Sequence, residues 1–449
     1  MPWLETAPGR YERPFDTIER FYRGIAASGA HLGKQHWLVS SVVQCKHHIS
    51  TIDLQDAWKS LRHQHPQIAA SADDNGLNFV YNVPSTEALD VWVQETLVIH
   101  SDKENQNVEE LDSALAPSDR FMLYYLPHSR QLLFRAPHWR TDGRGMIILQ
   151  HSFFTLLAAG AGRTILFDGS EASQLPAPFD EAAELSLETT PEMSQSSDAL
   201  LSSLSGSIPA TLRESLPNTI PTISQRSTIQ LPQELSEKII RASKARGQTV
   251  TTTAHAALFT ALREYADPID GRFICFNPFD LRHHLPPPWN GLAGAASLYH
   301  TGKPCSIELA QCPDFKSLAH LLSPFYRNEL KPLFGFLVDY MNKLDKILAA
   351  PLEVAIQGPG AARADLSSLG VIDNYLHTRY TGVAGTFEIE DWFLGVQIIT
   401  RLLQMYLWTR DGKIHLSCNY NAAFYKGEFV QQLLEGWKDV LVKELLHIA

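Results

Sequence analysis

The residues best placed to do chemistry stand in one run of six, His138-Trp-Arg-Thr-Asp142-Gly143. An imidazole titrates near neutrality, so it can take a proton from an attacking hydroxyl or amine and return it to a leaving group. Asp142 is then either a partner of that base or an anchor for the turn. The anchor is favoured, because a carboxylate one helical turn along points away from a base that must reach substrate. An anchor needs a cation, and Arg282, in the dense loop Asn277-Pro-Phe-Asp-Leu-Arg282, is the candidate. A guanidinium can hold a carboxylate bidentately. Alternatively Arg282 pairs with Asp280 or faces solvent. In a chain with 18 histidines, an accidental His-x-x-x-Asp-Gly is expected on the order of 0.06 times, so composition alone does not account for it. The competing expectation is a core histidine at a strand end, with Asp142 capping the next helix.

The elements around the motif suit the first role. Residues 132–136 are apolar and form a strand that Pro137 ends; an apolar helix pattern follows over 146–157. A strand that stops at a histidine and turns on a glycine into a helix holds its imidazole at the wall of a cleft. Upstream, the pattern predicts a helix over 14–28 with Asp16 near its cap, a strand over 36–45, a helix from 51 that ends before Pro66, and strands over 78–82, 91–99 and 121–126. This alternation describes one mixed α/β subdomain, 1–167. Residues 168–228, crowded with Ser, Pro, Glu and Thr, describe a crossing linker with short helices at 200–204 and 212–216. The second subdomain, 229–449, has helices over 232–247 and 251–265 and a strand over 272–277. Residues 314–349 are helical, broken near Pro324 and Pro332. Strands over 384–393, 395–400, 402–409 and 413–420 precede a closing helix over 428–446.

Composition excludes several roles. The 449 residues carry 38 basic and 49 acidic side chains, a formal charge of −11, with no basic stripe interleaved with aromatics, so nucleic acid is not the expected partner. No apolar run is long enough to cross a bilayer, and the amino terminus has no signal-peptide pattern. Five scattered cysteines form neither a zinc pattern nor a disulfide framework, so a cytoplasmic protein is expected. His283 and His284 lack a third ligand at a sensible spacing, so no metal is expected. His255, among alanines in a helix, suits a core position. No Gly-x-Ser-x-Gly elbow is present, so a serine nucleophile has no support.

The run from His138 to Gly143 resembles the His-x-x-x-Asp-Gly signature of the chloramphenicol acetyltransferase superfamily, which includes the BAHD acyltransferases and peptide-synthetase condensation domains. Leu61-Arg-His-Gln-His-Pro66, the Asn277 to Arg282 loop, Ser367 to Asp373, Asp391-Trp-Phe393 and Asn419 to Tyr425 extend the similarity along nearly the whole chain. Among its branches, the chain resembles the fungal trichothecene 15-O-acetyltransferase-like proteins. Two departures stand out. Pro137 replaces the first histidine of condensation domains, and Asp391-Trp-Phe-Leu-Gly395 stands where BAHD enzymes have Asp-Phe-Gly-Trp-Gly. The resemblance implies two pseudo-symmetric α/β subdomains with a channel at their interface. It also implies transfer of an acyl group, acetyl first, from acyl-CoA or an acyl carrier protein to a hydroxyl of a small secondary metabolite. No acyl-enzyme and no bound cofactor are implied. His138 would be the base, Asp142 and Gly143 its immediate support, and Arg282 and Asn277 the outer support. Trp139, Asp391 and Trp392 are the expected channel residues, and a monomer is expected. The alternative keeps the fold but replaces acyl transfer by cyclisation or dehydration of a polyketide or terpenoid. A binding protein without catalysis is the third possibility.

Overall fold

The computed structural model describes residues 2–100, 107–160, 165–327, 330–348 and 351–446. The chain divides into two compact units. The first comprises Met1–Leu187, Asp280–His300 and Asp373–Val396; the second comprises Glu188–Phe279, Thr301–Ile372 and Gln397–Ala449. These bounds differ from 1–167, 168–228 and 229–449. Two pieces of the expected second subdomain lie in the first unit, and the expected linker is shared between both.

The first unit is built on a six-stranded sheet whose order across the sheet is Arg379–Gly382, Gly385–Val396, Leu38–Cys45, Gln131–Pro137, Met122–Leu126 and Leu97–Ile99. Strand Leu38–Cys45 runs antiparallel to both neighbours. It pairs Leu38 with Pro137 and Gln44 with Gln131 on one side, and Val42 with Phe393 on the other. Both it and Gln131–Pro137 are buried almost throughout, so neither shows polar alternation. Helix Gly143–Ala159 follows the histidine turn and packs beside helix Thr51–Gln64 and strand Gly385–Val396. Helix Thr17–Ala27 starts at a capping box: Glu19 N donates to Asp16 Oδ1 at 2.8 Å, and Asp16 N to Glu19 Oε2 at 2.9 Å. A smaller four-stranded sheet, containing Arg10–Pro14 and Asn78–Asn82, completes this unit.

The second unit has a four-stranded sheet ordered Ser224–Gln230, Lys413–Asn421, Leu403–Arg410 and Ala364–Val371. Helices Val250–Arg263 and Gly427–Leu446 share its core. Small Ala254, Ala257 and Ala261 are buried there, and Trp437 Nε1 donates to the Ala254 carbonyl at 2.7 Å.

Several expected elements take another form. Residues 91–99, rich in Val and Trp, begin as helix Thr86–Thr96 and become a strand only at Leu97–Ile99. Ser85 caps Ala88 N at 3.2 Å, and Trp92 stacks on Trp58 with centroids 5.5 Å apart and planes at 7°. That capped, one-sided packing outweighs β propensity. The short helix expected at 200–204 is instead the end of helix Pro191–Ser202, and 212–216 contributes to strand Thr211–Leu212, paired with Ala266–Asp267. Residues 395–396 finish the long strand Gly385–Val396, and no strand covers 397–402. Pro324 sits inside helix Phe315–Arg327 without ending it, and Pro332 lies within Leu330–Phe334. Residues 328–329 and 349 of that expected helical stretch lie outside the described residues.

Candidate active site

His138 follows directly on the end of the central strand Gln131–Pro137. Its ring is half-buried, with Nδ1 sealed in protein and without a hydrogen-bond partner. Three rings of the same unit surround it. Tyr22 lies with its centroid 4.6 Å away and its plane at 22°, His300 at 4.9 Å and 23°, and Trp37 at 6.3 Å and 60°. Burial lowers the pKa of His138, opposed by its own backbone, the Asp142 charge and the Thr141 backbone. Burial also holds His300 well below the ordinary histidine range, helped by His138 and the Arg282 charge. Both imidazoles are therefore neutral at neutral pH.

Asp142 is the N-cap of helix Gly143–Ala159, accepting from Gly145 N at 2.8 Å. Both its oxygens lie 2.9 Å from Arg282 Nη1, and Oδ2 also accepts from Tyr299 N at 2.8 Å. Arg282, only 2 % exposed, additionally donates through Nη1 to Asp280 at 3.0 Å and through Nη2 to the carbonyls of Gly294 and Ser297 at 2.9 and 3.1 Å. The two pairings considered for Arg282 thus occur together. Burial works against the guanidinium charge, and the two carboxylates more than offset it, raising its pKa. A pair closed this completely fixes the turn after His138.

The other expected site residues divide. Gly143 is the first residue of the helix. The tight approach belongs to Gly145, which the sequence reasoning did not single out. A Cβ there would press on the Ala295 carbonyl oxygen and stand 2.5 Å from Thr141 Oγ1 and 3.0 Å from Arg282 Nη2. Trp139, expected in a channel, is 2 % exposed and packs edge-on against Phe15 at 5.6 Å and beside Phe79 at 5.4 Å. It is a core residue. Its neighbour Arg140 is equally buried, donating to the carbonyls of Asp119, Gln67 and Ala70, with its pKa lowered to about 9 by burial. Trp392 is also core, its Nε1 donating to Gln150 Oε1 at 2.8 Å. Asp391 is exposed and accepts from Trp392 N at 2.8 Å, beside a register shift in its strand. Asn277 lies in the second unit, buried, accepting from Leu366 N at 3.3 Å and so linking two strands. His283 and His284 are exposed, while His255 is fully buried. Tyr22, Trp37 and His300 were also not foreseen. Trp37 alone left a signal, since pairing strands 36–45 and 132–136 brings it opposite His138.

No protein-family model matches the chain. The chain is 28% identical over 467 aligned positions to acetyltransferase pigO of Monascus ruber, covering 99% of this chain and 98% of that protein. It is 26% identical to O-acetyltransferase pigM of the same organism, covering 99% and 87%. Among solved structures, TRI3 trichothecene 15-O-acetyltransferase from Fusarium sporotrichioides superposes with a TM-score of 0.81 at 17% identity, covering 99% of this chain and 97% of that one. The fold extends to peptide-synthetase condensation domains, one of which gives a TM-score of 0.62. The chain accordingly has the two-unit α/β fold seen in a trichothecene 15-O-acetyltransferase and in peptide-synthetase condensation domains, and it is similar over its full length to named fungal acetyltransferases.

Proposed function

We propose that the protein transfers an acyl group, acetyl first, from a thioester to a hydroxyl of a small secondary metabolite, with His138 as general base. One observation carries this reading: a neutral, half-buried imidazole at a strand end, its Nδ1 sealed, in a chain similar throughout its length to O-acetyltransferases. Sealing Nδ1 leaves Nε2 for the acceptor. The hydroxyl proton passes to Nε2 as the oxygen attacks the thioester carbon. The carbon–sulfur bond then breaks, and the proton passes from Nε2 to the departing thiolate, restoring neutral imidazole. No bond to the protein forms in this sequence. Asp142 takes no part in the proton transfer, because both its oxygens are occupied by Arg282, Tyr299 N and Gly145 N. Acyl-CoA or an acyl carrier protein supplies the thioester.

The test is incubation with acetyl-CoA and hydroxylated secondary metabolites, following free thiol and product mass together. Thiol release matched by a gain of one acetyl group supports the reading. A product isomeric with, or dehydrated from, the substrate and formed without donor overturns it in favour of cyclisation or dehydration.

A further inference from the structure

The register that pairs Leu38 with Pro137 brings Trp37 opposite His138, one step beyond the last rung of the ladder. Residues facing each other across such a pair of strands are near enough to act on the same molecule. Trp37 does not continue the strand. Its φ is 56°, in the left-handed region that a bulky side chain rarely enters. Its indole Nε1 is buried without a hydrogen-bond partner, a second unfavourable feature at one residue. The indole itself is only half-buried, stacked on His36 with centroids 4.9 Å apart and planes at 24°. Tyr22 also packs on the indole, with centroids 5.4 Å apart and planes at 42°, yet glycine or asparagine would take the same φ more easily and glycine would leave no indole N–H unmatched. Side chains held in unfavourable conformations beside a reactive group point to a ligand. The remaining surroundings say which kind. Tyr22 and His300 bring rings close to His138, and the nearby carboxylate, Asp142, is already taken by Arg282.

We propose that Trp37 selects the acceptor, its indole forming the wall against which a flat, unsaturated alcohol lies while the hydroxyl reaches His138. This rests on the acyl-transfer reading for the fate of the hydroxyl, but not for the binding. The probes are naphthalenemethanol and its saturated decalin counterpart, which differ in flatness and not in size class. Their binding is measured by calorimetry without donor, and their acetylation by thiol release with acetyl-CoA. The wild type should bind naphthalenemethanol more tightly. Trp37→Leu should weaken its binding and raise its KM by roughly tenfold, the loss of one ring-on-ring contact. The decalin alcohol and the KM for acetyl-CoA should be unchanged, and Trp37→Phe should keep most of the preference. Trp37→Gly, which removes the backbone strain, should melt no lower than Trp37→Leu. Equal binding of the two alcohols by the wild type, or a preference that survives in Trp37→Leu, overturns the proposal. Calorimetry keeps this separate from the reaction. If no thiol is released but Trp37→Leu still loses the flat alcohol, acyl transfer fails and the role of Trp37 stands.

Discussion

His138 at the strand end of the first unit and His255 inside helix Val250–Arg263 of the second are both pushed below the ordinary histidine pKa by burial, His255 to about 3. His255 is fully enclosed, with Nδ1 2.8 Å from Tyr326 Oη and rings of Phe259 and Tyr326 around it. His138 is half-exposed, has no hydrogen bond at Nδ1, and is followed by a turn that a buried ion pair locks. Neutrality is therefore cheap to arrange and does not by itself make a base. The difference lies in where each histidine sits in its element. A helix interior encloses the whole ring, whereas a strand end followed by a locked turn leaves the ring half-exposed.

The comparison can be broken most directly at the two histidines. His138→Ala should lower turnover by about 10²–10⁴-fold while the melting temperature changes little; turnover within a few-fold of wild type would put the two residues on one footing. Next in size is the lock. Arg282→Met leaves Asp142 buried without its cation, and the loss of one partner of such a pair costs about 3–5 kcal/mol of stability. Denaturant unfolding reads this, and an unchanged midpoint would mean that the turn holds without the pair. Gly145→Ala, which crowds the Ala295 carbonyl and Thr141, should cost about 1–3 kcal/mol as an overpacked site and lower turnover with it.

Acidity sharpens the contrast. A lowered pKa keeps His138 unprotonated below the usual 6.5, so kcat/KM should stay flat through neutrality and fall only on the acid side of 6.5. An acid limb above 6.5 contradicts this. For His255 the same sign appears in stability. The unfolded chain takes up a proton below 6.5 that the folded chain refuses until about pH 3, so stability is lost as pH falls through that window. His255→Phe removes this loss, shows no activity change, and at neutral pH costs about 1 kcal/mol for the Tyr326 hydrogen bond.

Much of the geometry around the candidate site was legible because its signals are local. Pro137 ends a strand, Asp142 caps a helix three residues before Gly145 N, and a carboxylate turned away from the base asks for a cation, which Arg282 supplies. Trp139 was misplaced because its partners, Phe15 and Phe79, are distant in the chain, and an aromatic beside a candidate base looks the same in sequence whether it lines a cleft or fills a core. Trp392 fails for the same reason, its partner being Gln150. Tyr22 and His300 reach His138 only through tertiary packing, and no spacing in the chain announces them. The helix over Thr86–Thr96 was hidden by Val91, Trp92 and Val93, whose β preference yields to Ser85 and to the face that Trp92 lays on Trp58.

Asp142 is held by groups 140 and 157 positions further along, and strand Gly385–Val396 flanks Leu38–Cys45 from later still. No single cut of the polypeptide can therefore release the first unit with the corner around His138 intact. A chimera or a transplanted half would have to carry three separate stretches, and during synthesis the carboxylate waits for its guanidinium until most of the chain has left the ribosome.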